Sequence, residues 1–207
     1  MVSDLSKRTR ILTTPFDITV KPLFKFNQVS MQKEFIDFEA TTPDLVDYVI
    51  WNSDALSLTD KHLWNNELEP QFQYVLPYVF LCEENIDMNI IGLQPTETKS
   101  KISNLKFIEA VLPISTMARS LSSAWAFMNE EEAHFIKNEP IMKLIFSKPV
   151  ELHYFNAGEM FNSWASVNSQ MVDYQRRGTS RKFKNIKNRM PKKLFEEIKN
   201  NVVYSEA

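Results

Sequence analysis

Glycine, cysteine and histidine are all scarce in this chain. Its 207 residues include three glycines, Gly92, Gly158 and Gly178, and one cysteine, Cys82. Phosphate-cradling loops and dinucleotide fingerprints need several glycines within about eight residues, so those nucleotide-binding devices are excluded. A lone thiol excludes an intrachain disulfide and any zinc site built on several thiolates. The histidines are His62, His134 and His153. None stands in an H-x-D, H-x-H or H-E-x-x-H arrangement, which removes the common iron, cupin and zinc-protease signatures. There is no G-x-S-x-G elbow for a hydrolase serine. No run of about 18 apolar residues is present, and Ile11-Leu12 gives way at once to Thr13, Thr14 and Pro15, too short for a signal peptide. The expectation is a soluble cytoplasmic protein with no membrane partner.

What the chain does contain is 43% hydrophobic and 24% charged residues, the composition of one globular domain spanning 1–207. The net charge of −2 hides an asymmetry. Residues 173–207 carry ten basic side chains against four acids, a net of +6, and leave the remainder at −8. The cations cluster at Arg176, Arg177, Arg181, Lys182, Lys184, Lys187 and Arg189. Such a segment docks on its own acidic body, or grips nucleic acid or another acidic partner.

Proline punctuates the first three-quarters of the chain, at Pro15, Pro22, Pro43, Pro70, Pro77, Pro95, Pro113, Pro140 and Pro149. Since proline breaks helix interiors, short strands are expected between these positions. Residues 15–26 alternate around Ile18, Val20 and Leu23. Phe72, Tyr74, Leu76, Tyr78 and Phe80 form a period-two row with one buried face. Residues 83–85 read as a turn joining that row to Ile86–Leu93 in a hairpin. Residues 95–104 read as loop, and runs at 106–114, 124–128, 141–146 and 150–155 complete a meander of about six strands over 72–155. Helical spacing appears at 43–51 after a Thr42 N-cap. It is cleaner from Glu159 to Arg177, where Met160, Phe161, Trp164, Val167, Met171 and Tyr174 form one stripe. Pro191 opens a last amphipathic segment with Leu194, Phe195 and Ile198. The fold class expected is α+β: a mainly antiparallel sheet or sandwich over about 15–155, covered by C-terminal helices over about 158–200.

Candidate sites are few. If a strand runs through Glu130–His134, alternation places Glu130, Glu132 and His134 on one face. With His153 one hairpin away, Glu132, His134 and His153 would supply the two-histidine, one-carboxylate set of a divalent metal site. No other cofactor is expected. Cys82 lies in an apolar run, where a thiol is core filler. Trp125-Ala126-Phe127 suits a strand with both aromatics in the core. Residues 51–66 are polar and flanked by aromatics, the composition of a recognition loop carried by Trp51, His62 and Trp64.

The order Pro77-Tyr-Val-Phe80, Ile90-Ile-Gly-Leu-Gln-Pro95, Trp125-Ala-Phe127 and then Phe135-Ile-Lys-Asn-Glu-Pro-Ile-Met-Lys-Leu-Ile-Phe146 resembles a group of phage and marine-bacterial proteins. These are classed as domains of unknown function, and share a closing K-G-x-P-I-x-x-L-I strand. The resemblance covers about residues 70–155 and implies a β-rich core. The closing strand is also similar in place to the G-D-x-I-A-Q-L-I strand of dUTPase-type enzymes. Here Asn138 stands where their glycine would be, and the chain offers no glycine-flanked nucleotide loop. That likeness implies fold alone. The residues therefore point first to a non-enzymatic binding or assembly protein, with a protein partner or self-association. The alternatives are a metal-dependent enzyme using the two-histidine site, and a nucleic-acid binder using the basic segment.

Overall fold

The structure is a computed structural model and describes residues 4–41, 56–64, 69–80, 82, 84–115, 120–152 and 196. The expected helix at 43–51, the Met160–Tyr174 stripe and the segment after Pro191 lie outside the described residues, Glu196 excepted.

Eleven strands are described, joined by one short helix, α1 (Asp4–Arg8), and two 3-10 turns at Lys61–Leu63 and Pro95–Glu97. The strands are β1 (Thr9–Thr13), β2 (Ile18–Asn27), β3 (Gln32–Thr41), β4 (Leu56–Leu58), β5 (Gln71–Val79), β6 (Asp87–Gly92), β7 (Leu105–Ile108), β8 (Ala110–Pro113), β9 (Ser120–Phe127), β10 (Ala133–Phe135) and β11 (Pro140–Phe146). They form three antiparallel sheets in the orders β1-β11-β6-β8, β4-β5-β9-β7 and β10-β2-β3. Strand-rich, antiparallel architecture is thus as the proline spacing implied. The β-rich body begins earlier than expected, at β1, and includes β3, for which no strand was foreseen.

The connectivity corrects two expectations. β5 and β6 do not form a hairpin: β5 pairs with β4 and β9, whereas β6 pairs with β11 and β8. Nor is 72–155 a meander. The first and last strands lie side by side in one sheet, followed by β6 and β8, while β5, β9 and β7 line the other. That interleaving is a double-sheet jelly roll, with the β2–β3 hairpin inserted between β1 and β5. The reason is that alternation fixes which face of a strand is buried and says nothing about its hydrogen-bonded neighbour. The chain passes from one sheet to the other between β5 and β6. Of the last expected run, 150–155, residues 150–152 are outside any strand and the others lie outside the described residues.

One core joins the three sheets. Phe72, Tyr74 and Leu76 on β5 and Phe127 on β9 are fully buried, and meet Met88, Met142 and Phe146 of the opposite sheet in one cluster. Burying each such side chain is worth roughly 1.5–3 kcal/mol. β10 and β2 close one flank, where Phe135 packs against Tyr74 (5.5 Å between ring centroids) and Trp125 (5.3 Å). Trp125 and Phe127 both point inward, as their spacing predicted. Two polar pairs in the core satisfy each other: Trp125 Nε1 donates to Ser123 Oγ at 2.9 Å, and the Tyr74 hydroxyl shares a 2.8 Å hydrogen bond with Thr14 Oγ1.

Candidate functional site

Among the described residues, the largest feature outside the jelly roll is the β2–β3 hairpin. Each strand has ten residues, paired from Thr19↔Thr41 to Asn27↔Gln32. Near the body its inner face is anchored: Ile18 and Val20 are buried, and Phe38 packs on Phe72 (5.8 Å) and Phe127 (6.5 Å). The register shifts between Leu23 and Phe24, where Ile36 is the extra residue of β3. Such a bulge lets both Phe38 and Phe35 face inward although they are three residues apart.

Beyond the bulge the inner face continues as an aromatic ladder. Phe24 meets Phe35 edge-on at 5.7 Å, and Phe35 meets Trp64 edge-on at 5.6 Å. Trp64 is fixed by Nε1 donating to the carbonyl (3.2 Å) and hydroxyl (3.1 Å) of Thr59, and Lys61 Nζ lies 5.8 Å from its ring centre. The 51–66 segment is therefore only partly loop. It contains β4, which pairs with β5, and a 3-10 turn that holds exposed His62. Trp51 lies outside the described residues.

The hairpin tip is built by side chains. Asn27 Oδ1 accepts from the backbone N–H of Val29 (2.9 Å) and Ser30 (3.3 Å), while its amide nitrogen donates to Glu34 (2.6 Å). Asn and Asp side chains stabilise turns in this way. Met31 has φ 53°, a left-handed conformation that costs a residue with a Cβ roughly 1–2 kcal/mol. The tip nevertheless presents apolar side chains to solvent: Val29 is 95% exposed, Met31 71%, and Phe26, on the inner face, 51%. Lys33 reaches across to an ion pair with Glu130 on the β9–β10 connection.

The strand expected through Glu130–His134 is shorter than that. β10 begins at Ala133, so Glu130, in that ion pair, and exposed Glu132 precede the strand. Ala133 and Phe135 take the buried face, which leaves half-buried His134 on the other. The His134 backbone bonds both ways with Lys101, at 2.9 and 2.8 Å. His153 lies outside the described residues. Among the described residues, no three His, Cys, Asp or Glu side chains gather in a way that could hold a metal ion.

Comparison with protein-family models, with curated proteins and with solved structures found no match. Arg176, Arg177, Arg181, Lys182, Lys184, Lys187 and Arg189 lie outside the described residues. Among the described residues no helix is long and apolar enough to cross a membrane.

Two titratable groups are shifted. Burial pushes the Cys82 thiol up, opposed by the hydrogen bond to Ile86, so it stays protonated at neutral pH. That is the chemistry of a packing residue rather than a nucleophile, although Cys82 is half-buried at the core's margin and not within it. Glu97 is held below the ordinary glutamate value by Lys143 and by the backbone N–H of Gln94. The element that sequence reading missed is β3, and with it the pairing that makes a hairpin of the expected strand at 15–26. Its signal was available: two runs rich in Phe, Ile and Lys/Glu alternation flank Asn27-Gln-Val-Ser-Met31, a turn with asparagine but no glycine.

Proposed function

We propose that the chain is a non-enzymatic binding or assembly protein that engages its partner through the β2–β3 hairpin. The observation that carries this reading is the concentration of exposed apolar side chains on one short stretch, Phe26, Val29, Met31 and Ile36. The stretch is held in one geometry by the Asn27 hydrogen bonds and by a strained Met31. A turn that serves only to reverse the chain has no need of exposed valine and methionine, and polar residues or glycine would form it at lower cost. Clustered exposed apolar groups on a soluble surface mark interaction sites.

The same reading includes C-terminal helices over the Met160–Tyr174 stripe and the Pro191–Ile198 segment, which complete an α+β single domain in the cytoplasm. It keeps the phage or marine-bacterial origin that the 70–155 resemblance implies. The triple variant Phe26→Ser/Val29→Ser/Met31→Ser tests the hairpin's role. Side chains held out for a partner contribute little to the fold, so its urea midpoint should correspond to a stability within about 0.5 kcal/mol of wild type. A loss on the order of 2 kcal/mol or more would place these groups in the chain's own packing and overturn the reading.

A further inference from the structure

The edge strands of this fold are unequal. β1, β8, β4, β7 and β10 have three to five residues each, the short edges that guard sheets against stray pairing. β3 has ten, and among the described residues it is the outermost strand of its sheet. At roughly 3.4 Å per residue it offers a backbone edge more than 30 Å long. An edge of that length is a template for β-addition, and its side chains decide what can be added.

A second copy of the same edge is a poor fit. One antiparallel register keeps the faces matched along the strand, and it sets Glu34 against Glu39 of the other copy. Like charges directly opposed destabilise a strand pair. The outward acids Glu34, Asp37 and Glu39 therefore select a strand with cations at matching places. On the β2 side, Lys21 and Lys25 already stand opposite Glu39 and Glu34.

We propose that the edge of β3, unpaired among the described residues, takes an extended basic strand, and that the occupant is the chain's own segment 182–187, Lys-Phe-Lys-Asn-Ile-Lys. Set antiparallel, position for position, Lys182 faces Glu39, Phe183 faces Phe38, Lys184 faces Asp37, Ile186 faces Phe35 and Lys187 faces Glu34. Because Ile36 and Asp37 lie on one face of β3, the incoming strand carries a matching bulge at Lys184-Asn185, and Asn185 stands opposite Ile36. All three acids meet lysines, and both phenylalanines meet apolar side chains. The charge asymmetry of the sequence thereby acquires a location on the fold. Exposed ion pairs are individually weak, so they fix register while the backbone ladder supplies the affinity. Lys33 is on the inner face, bonded to Glu130, and takes no part.

The proposal rests on the hairpin being the binding element, and the test separates the two. The probe is a fluorescein-labelled peptide of residues 180–190, titrated by anisotropy into full-length protein. The protein carries Lys182→Glu/Lys184→Glu/Lys187→Glu, so that its own segment does not compete. The expected result is saturable binding that weakens with salt. Binding should fall at least tenfold with Asp37→Asn/Glu39→Lys on β3, where Asn keeps the acceptor that Asp37 gives the Phe38 N–H. A shuffled peptide of identical composition should also bind at least tenfold more weakly. Absent binding, indifference to the β3 substitutions, or equal binding of the shuffled peptide each overturns the proposal. Selective binding of the peptide to a nucleic acid, with β3 silent, does so as well. Failure here with an undestabilised triple tip variant removes only the basic-strand partner. Destabilisation of the tip variant removes the hairpin reading itself.

Discussion

Glu97 sits at the end of a single 3-10 turn and holds it closed: one carboxylate oxygen accepts from the backbone N–H of Gln94 at 2.8 Å, the other from Lys143 Nζ on β11. This capping box joins the β6–β7 connection to the jelly-roll sheet. Because the folded carboxyl lies below its ordinary value, the unfolded chain binds its proton first as pH falls. The stabilisation is complete above the ordinary glutamate value of 4.5 and is lost as pH drops through the lower, folded value. We expect the thermal midpoint of the wild type to fall along this acid limb, and Glu97→Gln to start lower at neutral pH and fall less steeply. Midpoints measured at a series of pH values would decide it, and parallel curves would show that the carboxylate contributes nothing. Met31 and Asn138, at φ 53° and 64°, make a second contrast between single residues. Asparagine accepts the left-handed region readily. Methionine does not, and its retention at the hairpin tip fits a residue kept for its side chain.

At the scale of elements, the two main sheets approach most closely where β6 ends. A Cβ added at Gly92 would lie 2.8 Å from the Cβ of Phe107 on β7. Phe107 cannot swing aside, because its ring is stacked edge-on against Trp125 at 4.7 Å. Alanine in place of a strand glycine ordinarily stabilises by roughly 0.5–1 kcal/mol. Overpacking costs about 1–3 kcal/mol and wins here. Gly92→Ala should therefore lower the urea midpoint, and an unchanged or raised midpoint would mean that the sheets slide apart freely. What the sequence disclosed about these elements follows the same physics. Phe72, Tyr74 and Leu76 announced a one-faced strand, and Trp125 with Phe127 another, because side-chain alternation is local. The partner of each strand was not legible, since β5 and β6 present equally good apolar faces whether they pair or stand in opposite sheets. β3 escaped notice because only Phe35 and Phe38 of its ten residues are even partly buried, and the bulge at Ile36 breaks their alternation. The metal reading assumed a strand running back through Glu130. Three consecutive glutamates form the connection instead, and the strand starts where alanine and phenylalanine can be buried.

For the molecule as a whole, closure of the jelly roll depends on its ends. β1 pairs with β11 along its length, Thr9 opposite Ile145. Arg8 Nε donates to the Phe146 carbonyl at 2.7 Å, across 138 positions of sequence. Arg10 donates to the Val150 carbonyl at 2.8 Å. Joining segments so far apart carries a loop-closure cost that grows only slowly with length, yet non-local pairing of this kind makes folding slow. β1 has one neighbour, five residues and no fully buried side chain, so it is held mainly by its ladder and by these two guanidinium groups. Hydrogen bonds from charged donors are worth roughly 1.5–3 kcal/mol each where they are shielded from water. Arg8→Ala/Arg10→Ala should therefore open this seam before the rest of the molecule. In hydrogen exchange, amides of β1 and the facing amides of β11 should lose protection, while those of β5 and β9 keep theirs, as expected of a low-stability unit at the margin of a cooperative core. An equal loss of protection across both sheets would show instead that the seam and the core unfold as one unit, and that the β1–β11 seam holds the sandwich together.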